Sequence, residues 1–509
     1  MTHSIISGNR VLAKTDFEMA VRRASSGFHD AGVRPGDSVA LFLRNDFPFL
    51  IASHAAIRLG AYAVPVNWHF KAEEVAYILA DCGARVLVVH ADLWPQIADG
   101  VPSNVLVLVA PTAPELAAAY RIASDAAHVP TGMTDWDRWL ASHAPWDGPF
   151  APPTTSMIYT SGTTGRPKAV RRLPVDPGDE KAFWALRDQV YGFEDGMVAG
   201  MPGPLYHSAP NSFGLRSSSM NATLVLMPKF DAEELLRLIE KHRITHMFMV
   251  PTMFVRLLKL PEDVRRKYDT SSLRFVIHAA APCPADVKHA MIDWWGPIIH
   301  EFYGGTESGP VTLSNSADFL KKPGSVGRAV EGCTIRIVDD DGADVPVGAP
   351  GEIFMKIAYY PDFTYHNQPE KRAEIDRGGL ITCGDVGYFD EDGYLFICDR
   401  KRDMVISGGV NIYPAEIEAA ITAMPGVKDC AVFGIPDAEF GESLLAIVEP
   451  QEGVELDVAD VKRYAASHLA DYKVPRRIEI GHDLPREDSG KIFKRRLRDP
   501  YWEKAGRAI

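Results

Sequence analysis

The stretch Tyr159-Thr-Ser-Gly-Thr-Thr-Gly-Arg-Pro-Lys-Ala-Val170, "YTSGTTGRPKAV", sets four small hydroxyl residues and two glycines ahead of a basic pair split by proline. Gly, Ser, Thr and Pro also mark ordinary surface turns, but the context here is narrower. The preceding "TTSMIY" reads as a short strand. Gly162 and Gly165 permit close backbone approach and positive φ. Thr160, Ser161, Thr163 and Thr164 supply hydroxyls, the backbone supplies N–H groups, and Lys168 supplies charge. Together these form an inventory for phosphate oxygens. A Walker A loop is excluded, because that motif needs G-x-x-x-x-G-K-[ST] opening a helix. Pro167 stands where its second glycine belongs, and Ala169 follows the lysine.

The rest of the chain bounds what such a loop serves. Its 509 residues, 46% hydrophobic and 24% charged, suffice for more than one core. That length predicts about two to four structural units. The net charge of -13 argues against duplex nucleic acid as the main partner. The N-terminus lacks the apolar segment of a signal peptide, and runs such as "VLVLVA" are too short to span a bilayer. Six scattered cysteines without a C-x-x-C pair signal neither zinc nor a disulfide framework. Reduced thiols in a cytoplasmic protein are the expectation.

Residues 1 to about 150 alternate helical patterns with short strands such as "SVALFL" and "RVLVVH". A Pro- and Ala-rich stretch, "HAPWDGPFAPPTT", leads into the opening loop, and the alternation resumes with "ATLVLMP", "THMFMVP" and "LRFVIHAAAP" as strands. "DAEELLRLIEKHR" predicts an amphipathic helix, with Asp231 as its N-cap and Leu235, Leu236, Leu238 and Ile239 on the buried face. This is an α/β pattern with mainly parallel sheets. After about residue 325, strands joined by Asp-Gly and Pro-Gly turns predict an antiparallel unit or small barrel. The last hundred residues predict a compact α+β unit, with Pro414 in the first turn of a helix.

Four motifs then stand in order: the opening loop, "YGGTES" (Tyr303 to Ser308), "CGDVGYFDEDGYLFICDRKRDMVISGGVNIYPAEIE" (Cys383 to Glu418) and "PREDSGKIFKR" (Pro485 to Arg495). Their order and spacing resemble the adenylate-forming superfamily of acyl-CoA synthetases, luciferases and peptide-synthetase adenylation domains, over nearly the whole chain. The resemblance implies a large N-terminal domain, residues 1–401, of two α/β subdomains plus a small β-barrel-like subdomain. It implies a mobile α+β C-terminal domain, residues 402–509, hinged at Arg402.

The implied activity is transfer of AMP from ATP to a carboxylic acid, followed by displacement of AMP by a thiol. ATP, Mg²⁺ and CoA are the implied cofactors. The first step needs a grip on the triphosphate, a metal and a cation where charge develops. By resemblance, Thr160 to Lys168 would hold the β- and γ-phosphates. Tyr303 would stack on adenine beside Ala280, Ala281 and Pro282. Thr306 would bond the α-phosphate and Glu307 would bind Mg²⁺. Asp385 would accept the ribose hydroxyls, with Arg400 reaching ribose or phosphate. Lys491 would bridge the acyl carboxylate and α-phosphate. Gly408 and Gly409 would line the pantetheine tunnel, and His207 would gate between acyl pocket and tunnel. Three positions depart from the common pattern: Ala169 for Gly, Cys383 for Thr and Val410 for Glu. None removes a chemical group named here, although Val410 bears on the thiolation surface.

The acyl pocket would be walled by "HSAPNSFG" and "MVPTMF", which supply His207, Ser208, Asn211, Phe213, Met253 and Phe254. Gly304 and Gly305 would leave its floor open. With no arginine evident to pair a second carboxylate, the expected substrate is a hydrophobic acid, fatty or polycyclic, with aryl acids third. "VIHAAAPCPADVKHAMIDWWGPIIHEFYGGTE" is also similar to bacterial ligases for fatty, steroid or terpenoid acids. The expected partners are small molecules, without nucleic acid or a membrane span; homodimerisation is left open. Three alternatives to a CoA ligase are a ligase loading a carrier protein, a luciferase-like oxygenase and a non-catalytic nucleotide-binding regulator. The end of the chain at Ile509, soon after Lys491, and the tunnel-like "SGGVNIYP" favour CoA.

Overall fold

The computed structural model describes residues 3–160, 167–401, 403–407, 410–437, 440–486 and 492–504. Among these, no helix is long and apolar enough to cross a membrane. The expected α/β organisation is present: two α/β sheets, a curled antiparallel sheet resembling half a barrel, and a smaller C-terminal α+β unit.

The first α/β sheet is wholly parallel. Ser38–Phe42 lies between Tyr62–Pro65 and Ala84–His90, followed by Leu106–Ala110 and Thr134–Asp135. Successive side chains of a strand face opposite ways, and this divides the core. Val86 and Val88 join one hydrophobic cluster, while Leu87 and Val89 join another. A strand covered on both faces must be a continuous apolar run, which "RVLVVH" is.

The larger sheet has nine strands. Its parallel centre is Thr223–Leu226, Val198–Met201, His246–Met249, Phe275–His278 and Ile299–Gly305, and the last of these pairs antiparallel with Gly309–Ser314. Leu224, Leu226, Phe248 and Ile277 share a cluster with Val39 and Leu41 of the first sheet. Helices Lys14–Asp30, Phe47–Arg58 and Ser208–Ser219 contribute to that cluster, so the two sheets share one core. The helix predicted after Asp231 runs Ala232–His242. Asp231 accepts from the Glu234 N–H at 2.9 Å, and the four expected residues are buried.

The first residues join the second sheet, although residues 1 to about 150 read as one alternating stretch: the hairpin Ser4–Ser7 and Arg10–Ala13 pairs through Ser4–Ser7 with Thr223–Leu226. Sequence periodicity carries no information about which sheet a strand joins.

This hairpin is tied to the first unit by a buried ionic network. Asp46 caps helix Phe47–Arg58 by accepting the Phe47 N–H at 2.7 Å. The Arg10 guanidinium pairs with Asp46 and with Glu115. His90 Nδ1 accepts the Arg44 N–H at 3.1 Å, so Nε2 carries the proton and faces Asp46 Oδ2 at 3.3 Å. Burial pushes the Asp46 pKa up, but the His90 and then Arg10 contacts outweigh it and hold the carboxyl below its ordinary value.

The curled sheet pairs Cys333–Val338, Gly351–Ile357 and Leu380–Phe389 antiparallel, with Asp376–Arg377 and Leu395–Arg400 both on Leu380–Phe389. The Asp-Gly turns predicted from sequence close its hairpins, with Gly342 and Gly393 at φ of 87° and 77°. In the C-terminal unit, Val427–Asp437 and Gly441–Pro450 form a long antiparallel pair beside Val405–Ser407, Val410–Ile412 and Arg477–Ile480. Helices Pro414–Thr422 and Val458–His468 cover one face, and the cluster they bury contains only residues of this unit.

Asp46→Ala should destabilise the protein by about 2–3 kcal/mol, the cost of losing a helix cap and leaving the buried His90 N–H without an acceptor while Arg10 keeps Glu115. Because the folded pKa of Asp46 is depressed, the unfolded chain takes up its proton first on acidification. The contribution is complete above the unfolded value near 3.8 and is lost as pH falls through the folded value. Urea unfolding between about pH 3 and 7 should show a shallower acid-side loss in Asp46→Asn than in the unmodified protein.

Candidate active site

The opening loop is closed by a three-stranded sheet rather than by either α/β sheet. Ile158–Thr160 pairs with Lys168–Arg172, which pairs with Phe363–Tyr365. Thr160 stands opposite Lys168. The loop residues between them, including Ser161, Gly162, Thr163, Thr164 and Gly165, lie outside the described residues. The Lys168 ammonium sits 4.2 Å from the centre of the Tyr365 ring.

At the end of the same strand, Arg172 reaches into the large sheet. Its Nη2 donates to the carbonyls of Thr306 (2.5 Å) and Glu307 (2.8 Å), and its Nη1 to Pro361 at 2.8 Å. Burial lowers its pKa from the usual guanidinium value. Arg172 was not expected from sequence. In "KAVRR" it reads as one of two solvated bases, and only the strand pairing turns it inward.

Thr306 and Glu307 occupy the tight turn between Ile299–Gly305 and Gly309–Ser314. Gly304 faces Pro310 and Gly305 faces Gly309, after an irregularity at Tyr303/Gly304. The Gly305 N–H donates to Ser308 Oγ at 2.8 Å, and Gly309 has φ of 73°. The Glu307 carboxylate accepts the Tyr365 hydroxyl at 3.0 Å and faces a cleft of about 2760 Å³. A single hard carboxylate beside a phosphate-binding loop suits Mg²⁺, which takes one or two carboxylates and completes its shell with phosphate and water. No cluster of three candidate metal ligands occurs among the described residues.

Asp385 and Arg400 are cross-strand neighbours in the curled sheet, with Arg400 Nε 3.5 Å from Asp385 Oδ1. Tyr303 donates its hydroxyl to Asp385 Oδ2 at 2.7 Å, so it orients the acid expected to hold ribose. Burial, reinforced by the Asp385 charge, raises the Tyr303 pKa and keeps this proton in place. Ala280 follows strand Phe275–His278 with φ of 77°, a left-handed conformation that is rare for a residue with a side chain. Ala279 and Ala280 line the cleft; Ala281 and Pro282 continue the same loop.

The described residues on either side of Lys491 line the same cleft. Residues 487–491 lie outside the described ones, but Arg486 and Ile492 bridge on either side of them, the Phe493 N–H bonds the Pro485 carbonyl at 2.7 Å, and Arg486, Ile492 and Phe493 line the cleft. Arg402, Gly408 and Gly409 likewise lie outside the described residues. Lys401, beside Arg402, pairs with Asp340 and Glu352 of the curled sheet.

The acyl wall is only partly as expected. His207, Ser208, Asn211, Met253, Gly304 and Gly305 line the cleft. His207 sits at the N-cap of helix Ser208–Ser219, on a loop fixed from the first unit by Asn45, whose amide donates to Gly203 and accepts from Leu205. Asn211 spends its Nδ2 on the Leu205 carbonyl at 2.9 Å, so it shapes the wall as well as lining it. Phe213 and Phe254 are core residues instead. Phe213 packs on Tyr191 and Phe193, and Phe254 on His278 and Trp295, both with no exposed surface. The helical period places each one step around from the cleft-facing positions.

The open floor is corrected too. A Cβ on Gly304 would lie 2.0 Å from the Gly309 carbonyl oxygen, so the hairpin backbone requires this glycine. A Cβ on Gly305 would meet Cys383 Sγ at 2.9 Å, pointing toward Glu307 and Cys383. The arginines lining the cleft include Arg172, bound to backbone carbonyls, Arg216, paired with Asp188, and Arg187.

Gly304→Ala should therefore cost about 3 kcal/mol, as forced overpacking does, measured by chemical unfolding. Gly305→Ala should cost less, and Cys383→Ala in the same chain should recover most of the loss. Equal losses for the two glycines would contradict this assignment.

Comparison with known proteins agrees with this geometry. Residues 4–359 match the AMP-binding enzyme family, and residues 416–491 match the AMP-binding enzyme C-terminal domain. The chain is 34% identical to a feruloyl-CoA synthase from Amycolatopsis sp., over 96% of this chain and 94% of that one. It is 33% identical to a long-chain-fatty-acid–CoA ligase from Mycobacterium tuberculosis, over 92% and 89%. Among solved structures, ATP-bound MatB from Rhodopseudomonas palustris superposes with a TM-score of 0.81 at 28% identity, covering 98% of this chain and 96% of that chain.

Proposed function

The chain belongs to the adenylate-forming, AMP-binding enzyme superfamily, where it acts on a carboxylic acid through an acyl-adenylate, and we propose that it is an acyl-CoA synthetase. The observation that carries this reading is convergence. Lys168, the Thr306–Glu307 turn, Asp385 and Arg400 face one cleft, and the loop bearing Lys491 is rooted at the same cleft from the C-terminal unit.

In the proposed reaction the substrate carboxylate attacks the α-phosphorus of ATP and pyrophosphate leaves. The thiol of CoA then attacks the acyl carbon and AMP leaves. The loop from Thr160 to Lys168 holds the leaving pyrophosphate. Thr306 binds the α-phosphate, Asp385 and Arg400 hold the ribose, and Tyr303 keeps Asp385 in position while flanking adenine with Ala280. Glu307 would hold Mg²⁺, which would offset phosphate charge. Lys491 stabilises the charge developing between carboxylate and phosphate. Gly408 and Gly409 leave room for pantetheine, and His207, at the N-cap beside the acyl wall, gates its entry.

A division into residues 1–401 and 402–509, joined at Arg402, is supported by the separate core of the C-terminal unit. The cleft has an aromatic wall of Tyr191, Phe248 and Phe302, with Tyr191 and Phe302 in edge contact at 5.5 Å. That wall supports an acid with a bulky apolar body. A carrier-protein acceptor is the second reading; it shares every residue of the adenylation half-reaction, so only product identity separates it. Incubation with Mg-ATP, CoA and a panel of acids, read by mass spectrometry, tests both.

Lys491→Ala should reduce pyrophosphate release by about 10²-fold or more, the scale of one preorganised charge-stabilising donor, while largely sparing thiolation of pre-made acyl-AMP. Equal loss of both half-reactions would contradict its role. Arg402→Pro fixes φ and removes an N–H. It should leave one half-reaction largely intact and slow the overall turnover; unchanged turnover would contradict the hinge.

A further inference from the structure

Arg187 lies on helix Glu180–Tyr191 and lines the cleft, against Ser212 of the helix that carries the acyl-wall residues Ser208 and Asn211. Its nearest polar contact is the Ser212 carbonyl, at 3.5 Å from Nη2. Its other contacts are the faces of Trp184 and Phe183, at 5.2 and 5.4 Å. No carboxylate among the described residues lies within ion-pair distance of it. Its neighbours do not compensate for this. Arg216, on the other side of Trp184, is already paired with Asp188 at 3.2 Å. Arg172, close enough to feel the Arg187 charge, is bound to three neutral carbonyls. A guanidinium lining a cleft among aromatic rings, beside a second guanidinium, has donors in excess and no counter-charge among the described residues.

We infer that Arg187 is a specificity-determining residue and that the acid activated here carries a second carboxylate at the end remote from the reacting one, on an aromatic or alicyclic body. This inference rests on the adenylation reading above. A guanidinium presents a planar fork matched to a carboxylate, and such pairs are among the strongest hydrogen-bonded contacts. The aromatic wall takes up the body of the acid and Arg187 its far end. A monoacid of the same shape leaves the Arg187 donors facing hydrocarbon, which penalises it. A neutral acceptor such as a keto group would satisfy fewer of them.

The test uses the full-length protein, Mg-ATP and a matched pair of acids, para-carboxyphenylpropanoate and its para-methyl counterpart, read by pyrophosphate release. The unmodified protein should favour the diacid in kcat/KM. Arg187→Met should lower the ratio of diacid to monoacid by about 10²-fold, the scale on which unpairing a buried charge acts. The loss should appear in KM for the acid, with KM for ATP and CoA unmoved. Arg187→Lys keeps the charge without the fork and should fall between; it also reports on the site if the methionine variant fails to fold. Preference of the unmodified protein for the methyl acid, a ratio the variants do not alter, or a shift in KM for CoA in place of the acid would each overturn the inference while leaving adenylation standing. If no acid of a wide panel releases pyrophosphate, the adenylation reading itself falls, and this inference with it.

Discussion

The carbonyl oxygens of Thr306 and Glu307 both end on one guanidinium, that of Arg172. The turn is held besides by the Gly305 N–H on Ser308 and the Tyr365 hydroxyl on Glu307. Its strands pair through Gly304, Gly305 and Gly309, so its backbone carbonyls carry much of its fixing. Arg172 arrives from the three-stranded sheet that closes the phosphate loop, and it also grips Pro361, just before the strand that completes that sheet. One residue therefore fixes the phosphate loop, the Glu307 turn and the approach to the curled sheet relative to one another. Its neutral acceptors explain why the position must be an arginine: three carbonyls in three directions match a fork with several donors, whereas an ammonium is a compact point charge.

Much of this was legible in sequence because the signals were local. The Asp231 cap, the alternating strands and the Asp-Gly turns each follow from spacing a few residues long, and each appears where expected. The motif residues were legible because glycines, a carboxylate and a tyrosine at fixed spacing leave few other uses. What was not legible depends on contacts between distant segments. Arg172 meets Thr306 across 134 positions, and nothing in "KAVRR" announces which base turns inward. Asn211, Phe213, Met253 and Phe254 all sit in segments correctly placed near the cleft. Which face of each helix looks into it is set by the packing of Phe193 and Trp295 behind them. The openness read into Gly304 failed for the same reason: the missing side chain makes room for a backbone, not for a substrate.

The charge balance follows from what the cleft must bind. A chain of net charge -13 that takes a polyanionic nucleotide has to gather its cations where the phosphates lie. Among the residues lining the cleft, lysines and arginines outnumber aspartates and glutamates. Several are contributed by the C-terminal unit near the Lys491 loop. Lys494 in that group is buried against Glu418 at 2.8 Å, and burial raises the Glu418 pKa to about 7. This pair ties the chain just after Lys491 to helix Pro414–Thr422 of the same unit.

That anchoring bears on how two reactions can share one cleft. The polar contacts across the junction include Asp399 accepting the Ala415 N–H at 2.8 Å. The hydrophobic clusters of the C-terminal unit contain no residue from before position 405. A unit that keeps its apolar surface internal and touches its neighbour through exchangeable polar contacts loses little when it rotates, because water replaces those contacts at small net cost. A shared apolar core would instead expose surface at roughly 25 cal/mol per Å². The partition of apolar residues between the two units is thus a physical condition for the rotation that the proposed second half-reaction calls for, and the described residues on both sides of the junction meet it.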